Sequence, residues 1–284
     1  MKMSSMHSYK IIDAHTHIYP EAIAEKACVS LGQFYDFEVR AKGTYADLSG
    51  QSRASNTVGF FLLSVATNGN QVPKVNDKLA AVLMKARDEG FEAIGFAAMH
   101  QDCPDFAGEI DRCVGLGLRG VKVHPDIQRM DIAGERMRDL CACLVERHLP
   151  LFLHMGDNRP EYRYSEPGKL AALLDEFPTL TAIAAHYGGY MAWDEAVEAL
   201  AGRPNVWYDC SSALWAMSPE RAAELTRLMG VDRVMYGTDY PVCNLKEHFE
   251  LFLKLPLTEE ERAAVIYDNA HRFIAMAENF ELSR

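Results

Sequence analysis

The feature that most restricts what this chain can fold into is a regular alternation of short apolar runs with segments of helical spacing. Runs of strand character lie at 11–17, 59–66, 91–99, 120–125, 150–154, 181–186, 206–210 and 233–239. Helical spacing follows seven of them, at 75–89, 106–115, 135–147, 168–176, 193–200, 219–229 and 245–253. A last helix is expected over 258–277, opened by Thr258 and Glu261 at capping-box spacing. Strands alternating with helices argue for parallel βαβ units, and near-continuous apolar strands argue for burial on both faces. Eight such units predict an α/β protein, a (β/α)8 TIM barrel with a closing C-terminal helix. The doubly wound open sheet is the alternative, but no G-x-G-x-x-G follows any strand. The 284 residues, 49% of them hydrophobic, are enough for one barrel domain over 1–284. The stretch 19–56 breaks the rhythm. It is polar and irregular, and is expected as an insertion after strand 1 that covers the site or packs outside it.

In this fold the active site lies at the C-terminal ends of the strands. The first strand, Ile11-Ile12-Asp13-Ala14-His15-Thr16-His17, ends in His-x-His. Strand alternation sends both imidazoles to one face, where they are poor core material and good ligands for a divalent metal. His154 ends strand 5 and is expected as a third ligand. Asp239 ends strand 8, either as a helix N-cap or as a carboxylate that binds the metal and takes a proton from its water. His186 ends strand 6, as a ligand or as an acid/base that polarises the substrate. His124, after strand 4, is expected as a substrate contact or a group supporting the site from behind, and otherwise as a capped loop residue. Arg159 and Arg163, in the polar stretch after strand 5, could each grip a substrate carboxylate in a bidentate fork.

Bulk composition excludes several partners. A net charge of -11 disfavours nucleic acid and anionic membrane surfaces. No segment approaches 18 continuous apolar residues, and the first ten residues hold no secretory apolar core. Seven cysteines with no C-x-x-C pair read as reduced thiols in a cytoplasmic protein.

His15-x-His17, His154, His186 and Gly237-Thr238-Asp239 after strands 1, 5, 6 and 8 resemble the amidohydrolase superfamily. The Asp-Ala-His-Thr-His opening, the turn at His186 and Tyr236-Gly-Thr-Asp-Tyr-Pro241 are most similar to its amidohydrolase-related branch, which also contains the aminocarboxymuconate-semialdehyde and resorcylate decarboxylases. The resemblance implies that His15, His17, His154 and Asp239 hold one divalent metal, typically zinc, with manganese or iron also fitting, and that His186 is the acid/base. A strand-4 lysine is carboxylated and bridges two metals in binuclear members; Lys122 could do so, making His186 a ligand. Otherwise Lys122 meets a substrate carboxylate or pairs with an acid such as Asp13. Dimers are common for this kind of barrel.

The expected activity is hydrolysis of an ester, lactone or amide in a small, carboxylated molecule. The rival is decarboxylation of an aromatic or unsaturated acid at the same site. A third reading is a metal-retaining barrel that serves as a binding protein.

Overall fold

The computed structural model describes residues 9–279, so the expected 1–284 domain extends past the described residues at both ends. Eight strands pair in sequence order, each parallel to the next. They are β1 (Ile11–His17), β2 (Thr57–Leu63), β3 (Glu92–Ala98), β4 (Val121–Val123), β5 (Leu151–Leu153), β6 (Ala182–Ala184), β7 (Val206–Asp209) and β8 (Val234–Met235). The barrel closes between β8 and β1 through single contacts. Ala14 N donates to Tyr236 O at 2.8 Å, His17 N donates to Tyr240 O at 2.6 Å, and Thr16 bridges Tyr240.

Helices α1 (Glu21–Tyr35) and α2 (Tyr45–Ser55) follow β1, and α3 (Val72–Asp88) follows β2. Then come α4 (Phe106–Gly115), α5 (Pro125–Gln128), α6 (Glu135–Glu146), α7 (Pro167–Glu176), α8 (Trp193–Leu200), α9 (Pro219–Met229) and α10 (Leu245–Phe252). The terminal segment holds α11 (Glu259–Ala263) and α12 (Asn269–Asn279), joined by a π-helical turn. Polar side chains start these helices where orphan amides need acceptors. Asp105 accepts from Gly108 N, Ser218 from Arg221 N, and Thr258 with Glu261 forms a reciprocal capping box.

The 19–56 stretch corrects the sequence reading, since most of it is helix. Its α1 shows no ordinary amphipathic signal because it roofs a cavity instead of packing on the core; Ala24 is its one buried residue. By contrast α2 packs outside β2 and buries Tyr45 and Leu48.

Alternation along each strand divides the apolar residues into two layers. Phe60, Leu62, Val121, Leu151 and Val206 face the helices, while Phe61, Leu63, Phe96, Phe152, Ile183, Trp207 and Met235 fill the barrel. The end away from the strand C-termini is plugged by α12, with the Phe273 ring 5.6 Å from Phe61 and 5.3 Å from Trp207. In β1 the pairing runs Asp13↔Phe60 and then Thr16↔Leu62, so β1 advances three residues while β2 advances two. That one-residue bulge resets the alternation. Ile12 and Ala14 face the barrel interior below it, and His15 and His17 face the interior above it.

Candidate metal centre and active site

His15 and His17 stand at the mouth because of the bulge. Gly237 lets β8 come close to them; a Cβ there would lie 3.0 Å from that of His15 and 3.3 Å from that of Asp209. His15 Nδ1 lies 3.0 Å from Asp209 Oδ2. A carboxylate only accepts, so the ring proton sits on Nδ1 and Nε2 carries a bare lone pair. That Nε2 is 3.2 Å from His17 Nε2 and 3.3 Å from Asp239 Oδ1.

His154 and His186 form a second close pair, with Nδ1 of the first 3.0 Å from Nε2 of the second. His186 Nδ1 lies 2.9 Å from the Ser211 carbonyl, and His154 Nε2 lies 3.1 Å from the Gly156 carbonyl. Carbonyls only accept, so both outer nitrogens carry the ring protons. The two inner nitrogens then face each other as bare lone pairs. Such a contact is repulsive unless a cation or a proton lies between them. Burial lowers the pKa of His154 and His186, which argues against the proton. The stacked rings of His186 and His15, 5.1 Å apart, join the two pairs.

Burial alone would raise the two carboxylates, but their neighbours reverse this. The imidazoles of His15, His186 and His17, with the Ser212 hydroxyl, hold Asp239 well below the usual carboxylate range. His15, His186 and Ser211 do the same for Asp209. Burial and the nearby cationic groups push His17 well below its ordinary value. The low values of His17, His154 and His186 favour their neutral forms beside carboxylates held ionised. His186, Ser212 and Asp239 all have left-handed backbone, with φ of 59°, 53° and 59°. Non-glycine residues carry that strain, on the order of 1–3 kcal/mol each, where the surroundings enforce it.

Asp209 and Ser211 were not singled out in the sequence. Asp209 Oδ1 accepts from the backbone N of His186 at 3.2 Å and of Ser211 at 3.0 Å, and from the Ser211 hydroxyl. The available signal was an acid at the end of the strand-7 run, in line with the histidines. Ser212 donates to Asp239 Oδ2 at 2.6 Å.

Lys122, on β4, points into the barrel and is fully buried. Its Nζ sits 4.2 Å from the Phe152 ring centroid and has no hydrogen-bond partner among the described residues. Burial lowers its pKa to about 8, against the pull of Asp209 and Asp239. It does not pair with Asp13, whose carboxylate accepts from Thr238 N, Thr238 Oγ1 and His15 N. His124 caps α5, its Nδ1 accepting from Ile127 N at 3.3 Å, and its ring stacks 3.9 Å from that of His154.

The two arginines lie elsewhere. Arg159 pairs with Asp157, donates to the Phe34 carbonyl, and packs over the Phe34 and Tyr162 rings at 4.5 and 4.1 Å. Arg163 is exposed and pairs with Glu166. Neither lines the cavity.

That cavity, of about 580 Å³, opens above the histidines. His17, His124, His154, His186 and Asp239 form its floor. A stripe on α1 (Ile23, Ala27, Leu31 and Phe34), with Tyr190 and Trp215, forms apolar walls. Lys26, exposed at the rim, is the one lysine or arginine lining it among the described residues. The seven cysteines are free thiols, and no helix is long and apolar enough to cross a membrane.

The family model described as amidohydrolase matches residues 12–275. None of the curated proteins matches the chain. An uncharacterised TIM-barrel protein from Bordetella bronchiseptica is similar over 94% of this chain and 99% of its own, with TM-score 0.74 and 23% identity. A dihydroxybenzoic acid decarboxylase from Polaromonas, with bound manganese and the inhibitor 2-nitroresorcinol, has TM-score 0.69 and 15% identity over 94% and 97% of the two chains. A probable 2-pyrone-4,6-dicarboxylic acid hydrolase from Acinetobacter baumannii, with citric acid bound, has TM-score 0.68 and 13% identity over 94% and 99%.

Proposed function

The chain belongs to the amidohydrolase family, and from that premise we propose that it is a hydrolase using one divalent cation, held by His15, His17, His154 and Asp239. The observation that carries this reading is the convergence of His15, His17 and Asp239, whose ligand atoms lie within 4.8 Å of one another; His154 adjoins them through His186, its Nδ1 3.0 Å from His186 Nε2. The donor set fits, being rich in imidazole with one ionised carboxylate. That favours zinc, while manganese, bound by the decarboxylase relative, and iron also suit it. A cation held there would supply Lewis acidity, easing deprotonation of water and polarising a substrate carbonyl.

The chain's own groups do the rest. Asp239 takes the proton of the attacking water at Oδ1, while Ser212 holds Oδ2. His186 keeps its Nδ1 proton on Ser211, so Nε2 receives a proton and passes it to the leaving group. Asp209 fixes His15 in the tautomer that leaves Nε2 free, as carboxylates behind metal-binding histidines do. The apolar walls fit a small ring-bearing ester, lactone or amide.

A second reading has a specific observation in its favour. No arginine lines the cavity among the described residues, so a substrate carboxylate would be met at the floor. A carboxylate seated there would suit decarboxylation of an aromatic acid. Metal analysis with turnover of a panel of lactones, esters and hydroxybenzoates tests both. One ion per chain with hydrolysis and no CO2 supports the first reading, CO2 release supports the second, and a chain that binds no metal refutes both.

A further inference from the structure

Tyr35, at the last turn of α1, reaches into the cavity beside the histidines of the floor. Its hydroxyl lies 2.9 Å from His124 Nε2 and 3.3 Å from His154 Nε2. The direction of these bonds follows from the partners on the far side of each ring. His124 Nδ1 accepts the Ile127 amide hydrogen at 3.3 Å, so the ring proton is on Nε2 and points at Tyr35. His154 Nε2 carries its proton because it faces the Gly156 carbonyl. The phenol oxygen therefore accepts from His124 Nε2, and His154 Nε2, whose hydrogen goes to Gly156, offers no lone pair to take the phenol hydrogen. Tyr35 O–H has no other hydrogen-bond partner among the described residues, and its free donor faces the cavity.

The ring is held rigidly. It stacks on Phe37 with centroids 5.4 Å apart and planes 2° from parallel. Arg159 sits 5.1 Å from its centroid and ties the preceding carbonyl down. A phenol keeps its hydrogen throughout the neutral range, so the fixed hydroxyl is a donor there. A fixed donor aimed at the place where charge develops is the geometry that stabilises an oxyanion.

We infer that Tyr35 is a catalytic residue whose phenolic hydrogen is donated to the substrate oxygen that becomes negative. The hydrogen stays on Tyr35; no bond to it forms or breaks. The inference rests on the floor being an active site and deepens that reading by placing a donor on the roof helix. The same donor fits any substrate with an oxyanion or phenolate oxygen over the floor.

The test is binding of 2-nitroresorcinol to the metal-loaded protein, which needs no turnover. Tyr35→Phe keeps the ring and removes one oxygen. The expected result is binding ~10- to 100-fold weaker, a bound nitrophenolate band shifted to longer wavelength, and unchanged metal content and melting temperature. Replacing Tyr35 with 3-fluorotyrosine, a stronger donor of nearly the same shape, tightens binding and shifts the band the other way. A role limited to propping His124 would move neither the band nor the fluorotyrosine affinity. Equal affinity and band position in all three proteins, or a parent protein that does not bind the probe, overturns the inference. Failure of the hydrolase reading shows separately, as absent hydrolysis with probe binding and its dependence on Tyr35 intact.

Discussion

At one end of the barrel Phe273 lies against Phe61, Phe96 and Trp207 in an apolar cluster. At the other end the imidazoles of His15, His17, His154 and His186 gather with the ionised carboxylates of Asp209 and Asp239, and His186, Ser212 and Asp239 hold left-handed backbone. The same strands build both ends, with the bulge in β1 resetting its alternation between them. The plug is stabilised by apolar area and close packing, which need no particular partner atoms. The mouth is stable only through specific partners, because each buried polar group left unpaired costs about 1–3 kcal/mol. Stability is therefore concentrated at the end that does no chemistry, and the strained, polar end depends on it.

Substitutions at the two ends should separate these roles. The largest effect is expected for Asp239→Asn, with turnover falling by ~10²- to 10⁴-fold while the melting temperature stays within a few degrees. An active variant would remove Asp239 from the mechanism. Phe273→Ala should show the reverse pattern. Loss of a buried ring costs about 3–5 kcal/mol and lowers the melting temperature by roughly 10 °C, with metal stoichiometry unchanged. If metal affinity fell together with stability, the two ends would not be independent.

Asp209→Asn should weaken metal binding by ~10- to 100-fold, measured by competition with a chelator, without touching the plug. Acid should act on the mouth before the plug. His17, His124 and His154 have pKa values below the ordinary 6.5 in the folded protein. Their contribution to stability is therefore complete above that pH and is lost as the pH falls below it. Near-UV circular dichroism of the metal-free protein should show the tyrosines of the mouth changing before the Trp207 signal of the plug. The smallest effect belongs to Arg163→Ala, where an exposed pair is lost. Stability should change by less than about 0.5 kcal/mol and turnover should be unaltered.

The helices at 106–115, 193–200 and 219–229 were legible residue for residue, because each has one apolar stripe against the sheet, and Asp105 and Ser218 cap the starts of two of them. Strands β4 to β8 are shorter than their apolar runs. β8 spans two residues where 233–239 reads as strand, since the chain leaves the sheet to bring Asp239 inward. The histidines and Asp239 stood out because several strand ends carried them together. Asp209 did not, because one buried acid has no spacing that distinguishes it from an N-cap. The helix α1 was missed because Lys26 and Ser30 interrupt its apolar stripe, as suits a surface that faces a cavity.

Local periodicity and strand-end chemistry were sufficient, in the sequence alone, to specify a parallel barrel with histidines and an aspartate gathered at its mouth. Both depend on spacing along the chain, which any reader of the sequence can measure. Which nitrogen of each histidine is bare, which carboxylate stands behind His15, and which hydroxyl hangs from the roof were decided only in three dimensions. Those properties belong to pairs such as His15–Asp209 and Tyr35–His124, separated by 194 and 89 residues. A hydrogen bond is set by distance and direction in space, and no periodicity along the chain encodes either.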